Sequence, residues 1–330
     1  MYIRPYILLC ALIFFVCMQN VTGLDRGDPE MPFTFAYSPD GTYIAVGAVG
    51  GTIKILDTAL TEIRVYSGHT SSLEQLVFSP DGKYLASCSD DIIVFDVETG
   101  NKTLVLSEHD YLVTSISYRF DGERLVSGST DGTIKIWDTK SGKAIKTITV
   151  IQTPESFNVI KKIAYTADGS KIISVCEQYV TIWDADTGEE LHSFTDPNLH
   201  ISSAAYSNDG KKIIVCYVNL VPRIKIPWFN TDIRIYDAES YEVLFSFSIG
   251  QWSVRSVIYS PTDRYIIISS DGNSISSYRL LFINSQNGGV INTIRDGVNF
   301  SLARNSFAVS RDERHLVNSS GKEIKIWEIE

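Results

Sequence analysis

The sequence predicts an all-β chain made of seven copies of one short antiparallel meander, and three observations carry that prediction. A turn built on Asp-Gly, or a worn form of it, recurs as Ser38-Pro39-Asp40-Gly41, Ser79-Pro80-Asp81-Gly82, Asp121-Gly122, Asp168-Gly169, Asp209-Gly210, Ser260-Pro261-Thr262-Asp263 and Ser310-Arg311-Asp312. A closing pair recurs in step with it, as Leu56-Asp57, Phe95-Asp96, Trp137-Asp138, Trp183-Asp184, Tyr236-Asp237, Ile283-Asn284 and Trp327-Glu328. The second members of these pairs stand 39 to 53 residues apart, a period that marks a repeat architecture.

The third copy shows why each element forms. Val113-Thr114-Ser115-Ile116-Ser117-Tyr118 and Thr133-Ile134-Lys135-Ile136-Trp137 are β-branched and aromatic runs, which suit a pleated surface. Between them Asp121-Gly122 and Asp131-Gly132 supply tight turns, because Gly accepts a positive φ without a Cβ clash and Asp tolerates it. The turns Glu98-Thr99-Gly100, Lys140-Ser141-Gly142 and Asp186-Thr187-Gly188 then lead into a further strand.

Seven copies in register resemble the WD40-repeat family over residues 32–330. The resemblance implies a seven-bladed WD40-type β-propeller with four-stranded antiparallel blades, and a ring of that kind is one domain despite its length. It also implies a structural tetrad in the third copy, with Trp137 bonded to Ser127, Ser127 to His109 and His109 to Asp131. The second copy keeps His69 and Ser87 but has Phe95 for Trp, and the first has Val46 and Leu56 for Ser and Trp. Because the chain ends at Trp327-Glu328-Ile329-Glu330, on the third strand of the seventh copy, that blade is incomplete unless residues near Val21–Arg26 complete it.

Charge and composition exclude several classes. The formal net charge is −10, a poor match to phosphate backbones, so no nucleic-acid partner is expected. Arg4 precedes an apolar run from Tyr6 to Met18, and Val21-Thr22-Gly23 puts small residues at a peptidase site. A run of 13 residues at about 1.5 Å each is too short for a hydrocarbon core of about 30 Å. Residues 1–23 therefore read as a secretory signal, followed by a short polar segment over 24–31 and the propeller over 32–330, with no membrane span once the signal is removed. This predicts an extracytoplasmic or secreted protein, or a cytoplasmic one if Met1–Gly23 is retained. Cys88, Cys176 and Cys216 fall at small-residue strand positions and read as buried apolar side chains. Asn101, Asn299 and Asn318 open sequons that an exported chain could glycosylate.

Two places exceed the period. One surplus falls near Thr149–Asn158, and an insert runs from Asn219 to Asn230, between the second and third strands of the fifth copy. Arg223, Lys225, Trp228 and Phe229 make the insert basic and aromatic on an acidic protein, and Trp and Arg are enriched among residues that carry binding energy. By the family resemblance both surpluses emerge on one face, so these four residues are the candidate partner-binding set; the alternative is a longer hairpin whose Trp and Phe fold back on the rim.

Catalysis finds no support. His69, His109 and His200 stand at or near the tetrad position, and His192 and His315 are isolated on a fourth and a second strand. There is no metal-ligand spacing, no phosphate loop and no implied cofactor. The sequence thus predicts a noncatalytic, monomeric platform for a protein or peptide. The alternatives are an intracellular WD40 adaptor and a secreted quinoprotein-type propeller enzyme, the latter suggested only by Asp96-Val97-Glu98-Thr99-Gly100.

Overall fold

The computed structural model describes residues 29–150, 159–196, 199–221, 228–250, 252–271, 278–295, 307–320 and 323–329. Its strands form seven antiparallel sheets, each built from consecutive strands in sequence order. Six sheets have four strands, and the seventh has three among the described residues. The chain is a seven-bladed β-propeller, as the repeat predicts. The secretory reading of residues 1–23 and most of the polar segment 24–31 fall outside the described residues.

The first strands of the blades are Pro32–Tyr37, Gln75–Phe78, Val113–Tyr118, Lys162–Tyr165, His200–Tyr206, Ser253–Tyr259 and Phe307–Val309. Those of blades 1 to 6 pack side by side in turn, and Phe307–Val309 returns against Pro32–Tyr37, so these strands form the inner wall of the ring. Side chains stitch that wall together. Gln75 Oε1 accepts from Ser115 Oγ at 2.9 Å and from the Ile116 N–H at 2.9 Å. Ser115 Oγ in turn accepts from the Ile163 N–H, and Ser203 Oγ accepts from the Val257 N–H. Each bond serves a backbone or amide group that would otherwise be buried unmade.

The core lies between blades. Ile44, Val46, Leu56 and Phe35 of blade 1 pack on Val317 of blade 7, which closes the ring with apolar contact. Ala205, Ile214, Ile233 and Ile235 of blade 5 pack on Val254, Val257, Ile266, Ile268, Leu281 and Ile283 of blade 6. Burying each such branched side chain contributes about 1.5–3 kcal/mol. Blades 3 and 4 approach so closely that a Cβ added at Gly128 would stand 2.4 Å from Ile160 Cγ2.

Outside the wall, polar groups tie neighbours at the turn between the first and second strands. Asp263 accepts from the Asn208 N–H and Nδ2 at 2.7 and 2.8 Å, and Glu313 accepts from the Thr262 N–H at 2.6 Å. Within five of these turns a hydroxyl reaches the acid two residues on, as in Ser38 Oγ to Asp40, Ser79 Oγ to Asp81 and Ser207 Oγ to Asp209, each at 2.6 Å. The closing Asp residues act likewise at the next turn: Asp96 accepts from the Thr99 N–H and Asp138 from the Ser141 N–H, both at 2.7 Å.

Candidate functional site

Blade 3 carries the polar chain drawn from the family pattern. Its second and third strands, Arg124–Ser129 and Thr133–Asp138, pair so that Ser127 lies opposite Lys135 and Leu125 opposite Trp137. The Trp137 Nε1–H donates to Ser127 Oγ at 2.8 Å. Ser127 Oγ lies 2.7 Å from His109 Nε2, and His109 Nδ1 lies 2.8 Å from Asp131 Oδ2. An ionised carboxylate only accepts, so Nδ1 carries the proton, Nε2 accepts from Ser127, and every donor in the series has a partner. Burial of Asp131 works to raise its pKa, but bonds from Thr133 and His109 outweigh it and hold the carboxyl below the usual range. Burial of His109 outweighs the attraction of Asp131 and lowers the imidazole.

Ser127, His109 and Asp131 are the residue types of a hydrolytic triad, and the geometry shows why they do not act as one. Ser127 and Trp137 are fully buried. The serine oxygen already takes the indole N–H, so no acyl group can approach it.

The other blades solve the same problem with different residues, several of which the sequence reading passed over. In blade 4 the Trp183 Nε1–H donates to Ser174 Oγ at 2.8 Å, and in blade 7 the Trp327 Nε1–H donates to Asn318 Oδ1 at 2.7 Å. The sequence marker is a closing-pair Trp nine residues after a small polar residue. Asn318 is fully buried, which removes it as a glycan acceptor. Blade 5 replaces the set with a hydroxyl pair, Tyr217 to Tyr236 at 2.8 Å, under the Arg234 guanidinium 4.4 Å from the Tyr217 ring. Among the described residues neither His200 nor His315 takes part in a tetrad. His192 stacks on Tyr241 with ring centroids 4.1 Å apart. Cys88, Cys176 and Cys216 are buried free thiols, and burial pushes Cys176 and Cys216 up to about 12.

Blade 2 predicts a pH response. His69 Nε2 lies 2.7 Å from Ser87 Oγ, with Phe95 in place of Trp, and burial lowers His69 to about 4. A folded-state value below the unfolded 6.5 means that the unfolded chain takes up the proton first. Stability is therefore complete above about pH 6.5 and declines as the pH falls toward 4, by at most about 3 kcal/mol for this residue. Urea midpoints measured at pH 7.5, 5.5 and 4.5 should fall in the native chain and fall less steeply in His69→Gln.

The insert extends its hairpin. Lys212–Val221 and Trp228–Asp237 are the two 10-residue strands of blade 5, against six residues each in blade 3. Their ladder continues through Asn219 opposite Asn230 and Leu220 opposite Phe229 to Val221 opposite Trp228. The backbone of Trp228 and Phe229 thus belongs to the ladder, while Arg223 and Lys225 lie outside the described residues. Residues 151–158 of the other surplus also lie outside them. Among the described residues no group of His, Cys, Asp and Glu is arranged to hold a metal ion, and no helix is long and apolar enough to cross a membrane.

Comparison with known proteins adds to this geometry. The family model described as WD domain, G-beta repeat matches residues 30–57, 60–95 and 100–138. A chicken protein named U3 small nucleolar RNA-associated protein 15 homolog is 24% identical over 72% of this chain, which spans 44% of that relative. A Dictyostelium discoideum protein named WD repeat-containing protein 55 homolog is 25% identical over 91% of this chain and 69% of its own length. A solved chain of Kuenenia stuttgartiensis hydrazine synthase superposes with a TM-score of 0.76 at 14% identity, covering 94% of this chain and 98% of its own; at that identity it shows the fold alone.

These relatives correct one expectation. The extracytoplasmic or secreted location is overturned by similarity to chicken and frog proteins named for a small nucleolar RNA, which point to the inside of the cell. The expected location rested on composition alone, a short apolar run behind one Arg. Seven sheets in a ring, three copies that match the WD domain model and relatives with the same repeat place the chain in the WD40-repeat family.

Proposed function

We propose that this protein is a noncatalytic platform that holds a protein or peptide on the face carrying the blade-5 hairpin. The observation that supports this most is the ladder from Asn219–Asn230 to Val221–Trp228, which carries the hairpin beyond the length kept by blade 3. Holding such a ribbon in place costs conformational entropy. Its aromatic pair Trp228 and Phe229, with Arg223 and Lys225 close by in sequence, has the composition of an energetic anchor. The burial of Ser127 favours this platform over an enzyme.

The relatives' names suggest the setting, an intracellular assembly that contains RNA. A chain of net charge −10 would join such an assembly through protein contacts, not through direct grip on phosphates.

Deleting Leu220–Phe229 tests the reading cleanly, because it leaves Asn219 next to Asn230, a pair suited to a two-residue hairpin turn. The melting temperature should hold within a few degrees, while proteins retained by the immobilised native chain should be lost from the variant. An unchanged set of retained proteins would overturn the proposal.

A further inference from the structure

The inner wall of the ring has a charge opposite to that of the molecule. Its seven strands read PFTFAY, QLVF, VTSISY, KIAY, HISSAAY, SVRSVIY and FAV. They hold Lys162 and Arg255 and not one carboxylate, on a chain whose formal net charge is −10. Glu74, one residue outside this wall, is already engaged. The neighbouring Lys161 faces Glu177 at 3.7 Å.

Lys162 stands apart. Its Nζ donates at 2.8 Å to the carbonyl of Val257, so the side chain reaches from blade 4 past blade 5 to the wall of blade 6. An ammonium has three donors, and that carbonyl takes one. Among the described residues no carboxylate pairs with it. Burial pushes Lys162 down to about 8, and among the described residues the group that acts the other way is the Cys216 thiol, itself raised to about 12 and so uncharged at neutral pH. At pH 7 the amine is still mostly protonated. A desolvated cation with spare donors is costly unless an anion answers it.

We propose that the axial channel is a carboxylate-binding site with Lys162 as its anchoring cation. The ligand class follows from the count of groups. One positive charge matches a monoanion, and two N–H donors without a partner among the described residues match two carboxylate oxygens. Free small carboxylic acids and the acidic side chain or terminus of a protein share this chemistry.

The test uses the full chain at pH 7. The melting temperature is followed in rising sodium acetate against sodium chloride of equal ionic strength, since a ligand of the native state alone stabilises it in proportion to its occupancy. Acetate should raise the melting temperature above the chloride control, Lys162→Met should weaken the apparent affinity at least tenfold, and Lys162→Arg should restore part of it. No difference between the salts in the native chain, or an equal rise in Lys162→Met, would overturn the site. Should Lys162→Met fail to fold, line broadening of carbon-13 acetate by the native chain decides instead: broadening reversed by excess unlabelled acetate supports the site, and its absence refutes it. Competition then separates the sources. Displacement of labelled acetate by the tripeptide Gly-Gly-Glu, but not by its form with both carboxyls amidated, assigns the site to a protein's acidic end, and failure of both to displace it assigns the site to a small acid.

Discussion

Replacing Trp137 by alanine is expected to lower stability by about 3–5 kcal/mol, and by phenylalanine by about 1–3 kcal/mol. The two numbers separate two contributions. Alanine removes a fully buried indole from the cluster that holds Val113, Ile116 and Leu125 and leaves a cavity. Phenylalanine keeps much of that volume but deletes the donor to Ser127, so a buried hydroxyl oxygen loses one of its bonds. The measurement is the urea midpoint with the slope held fixed. Because Trp137 touches no outer surface, neither variant should alter partner binding at a temperature where it is folded. A phenylalanine variant that remains fully stable yet loses a partner would show that a functional residue has been taken for a structural one.

Gly128→Ala should cost about 1–3 kcal/mol, a large effect for a single methyl group. In most strands such a change is mild, because added apolar area offsets small adjustments. Here the new Cβ would stand 2.4 Å from Ile160 Cγ2 and 3.0 Å from Ile160 Cβ, and Ile160 is itself fully buried. A branched side chain cannot swing aside there, so blades 3 and 4 must separate slightly. Ile160→Ala in the same chain makes room for the methyl group. The double variant should therefore be more stable than the sum of the two single effects implies, and strict additivity would disprove the steric account.

Much of the architecture was legible because the repeat states it seven times. Asp-Gly turns, closing pairs and β-branched strands agree at every level, and agreement of that kind specifies a fold. The polar series of blade 3 could be drawn residue by residue, since Trp137, Ser127, His109 and Asp131 match all four positions that the family resemblance implies. Where the copy has drifted, pattern alone failed. Tyr217 and Tyr236 face each other across a ladder, a pairing that depends on register and not on spacing. Asn318 looked like a glycan acceptor because a three-residue motif carries no information about burial. The cationic wall escaped notice for a similar reason: Lys162 and Arg255 are 93 residues apart, and only ring closure brings their strands to one channel.

Blades 2 to 4 have tetrad-type polar bonds at their centres, whereas the seam between blades 5 and 6 is aliphatic, with Ile214, Ile235, Ile266 and Ile268 at its heart. These two kinds of cohesion respond differently to temperature. Aliphatic burial draws its strength from water and loses it on cooling, while a bonded indole, imidazole and carboxylate do not. Chilled toward its lower limit of stability, the ring should loosen first in its apolar contacts between blades, that seam and the blade 1–7 closure alike; heated, it has no reason to fail at the same places.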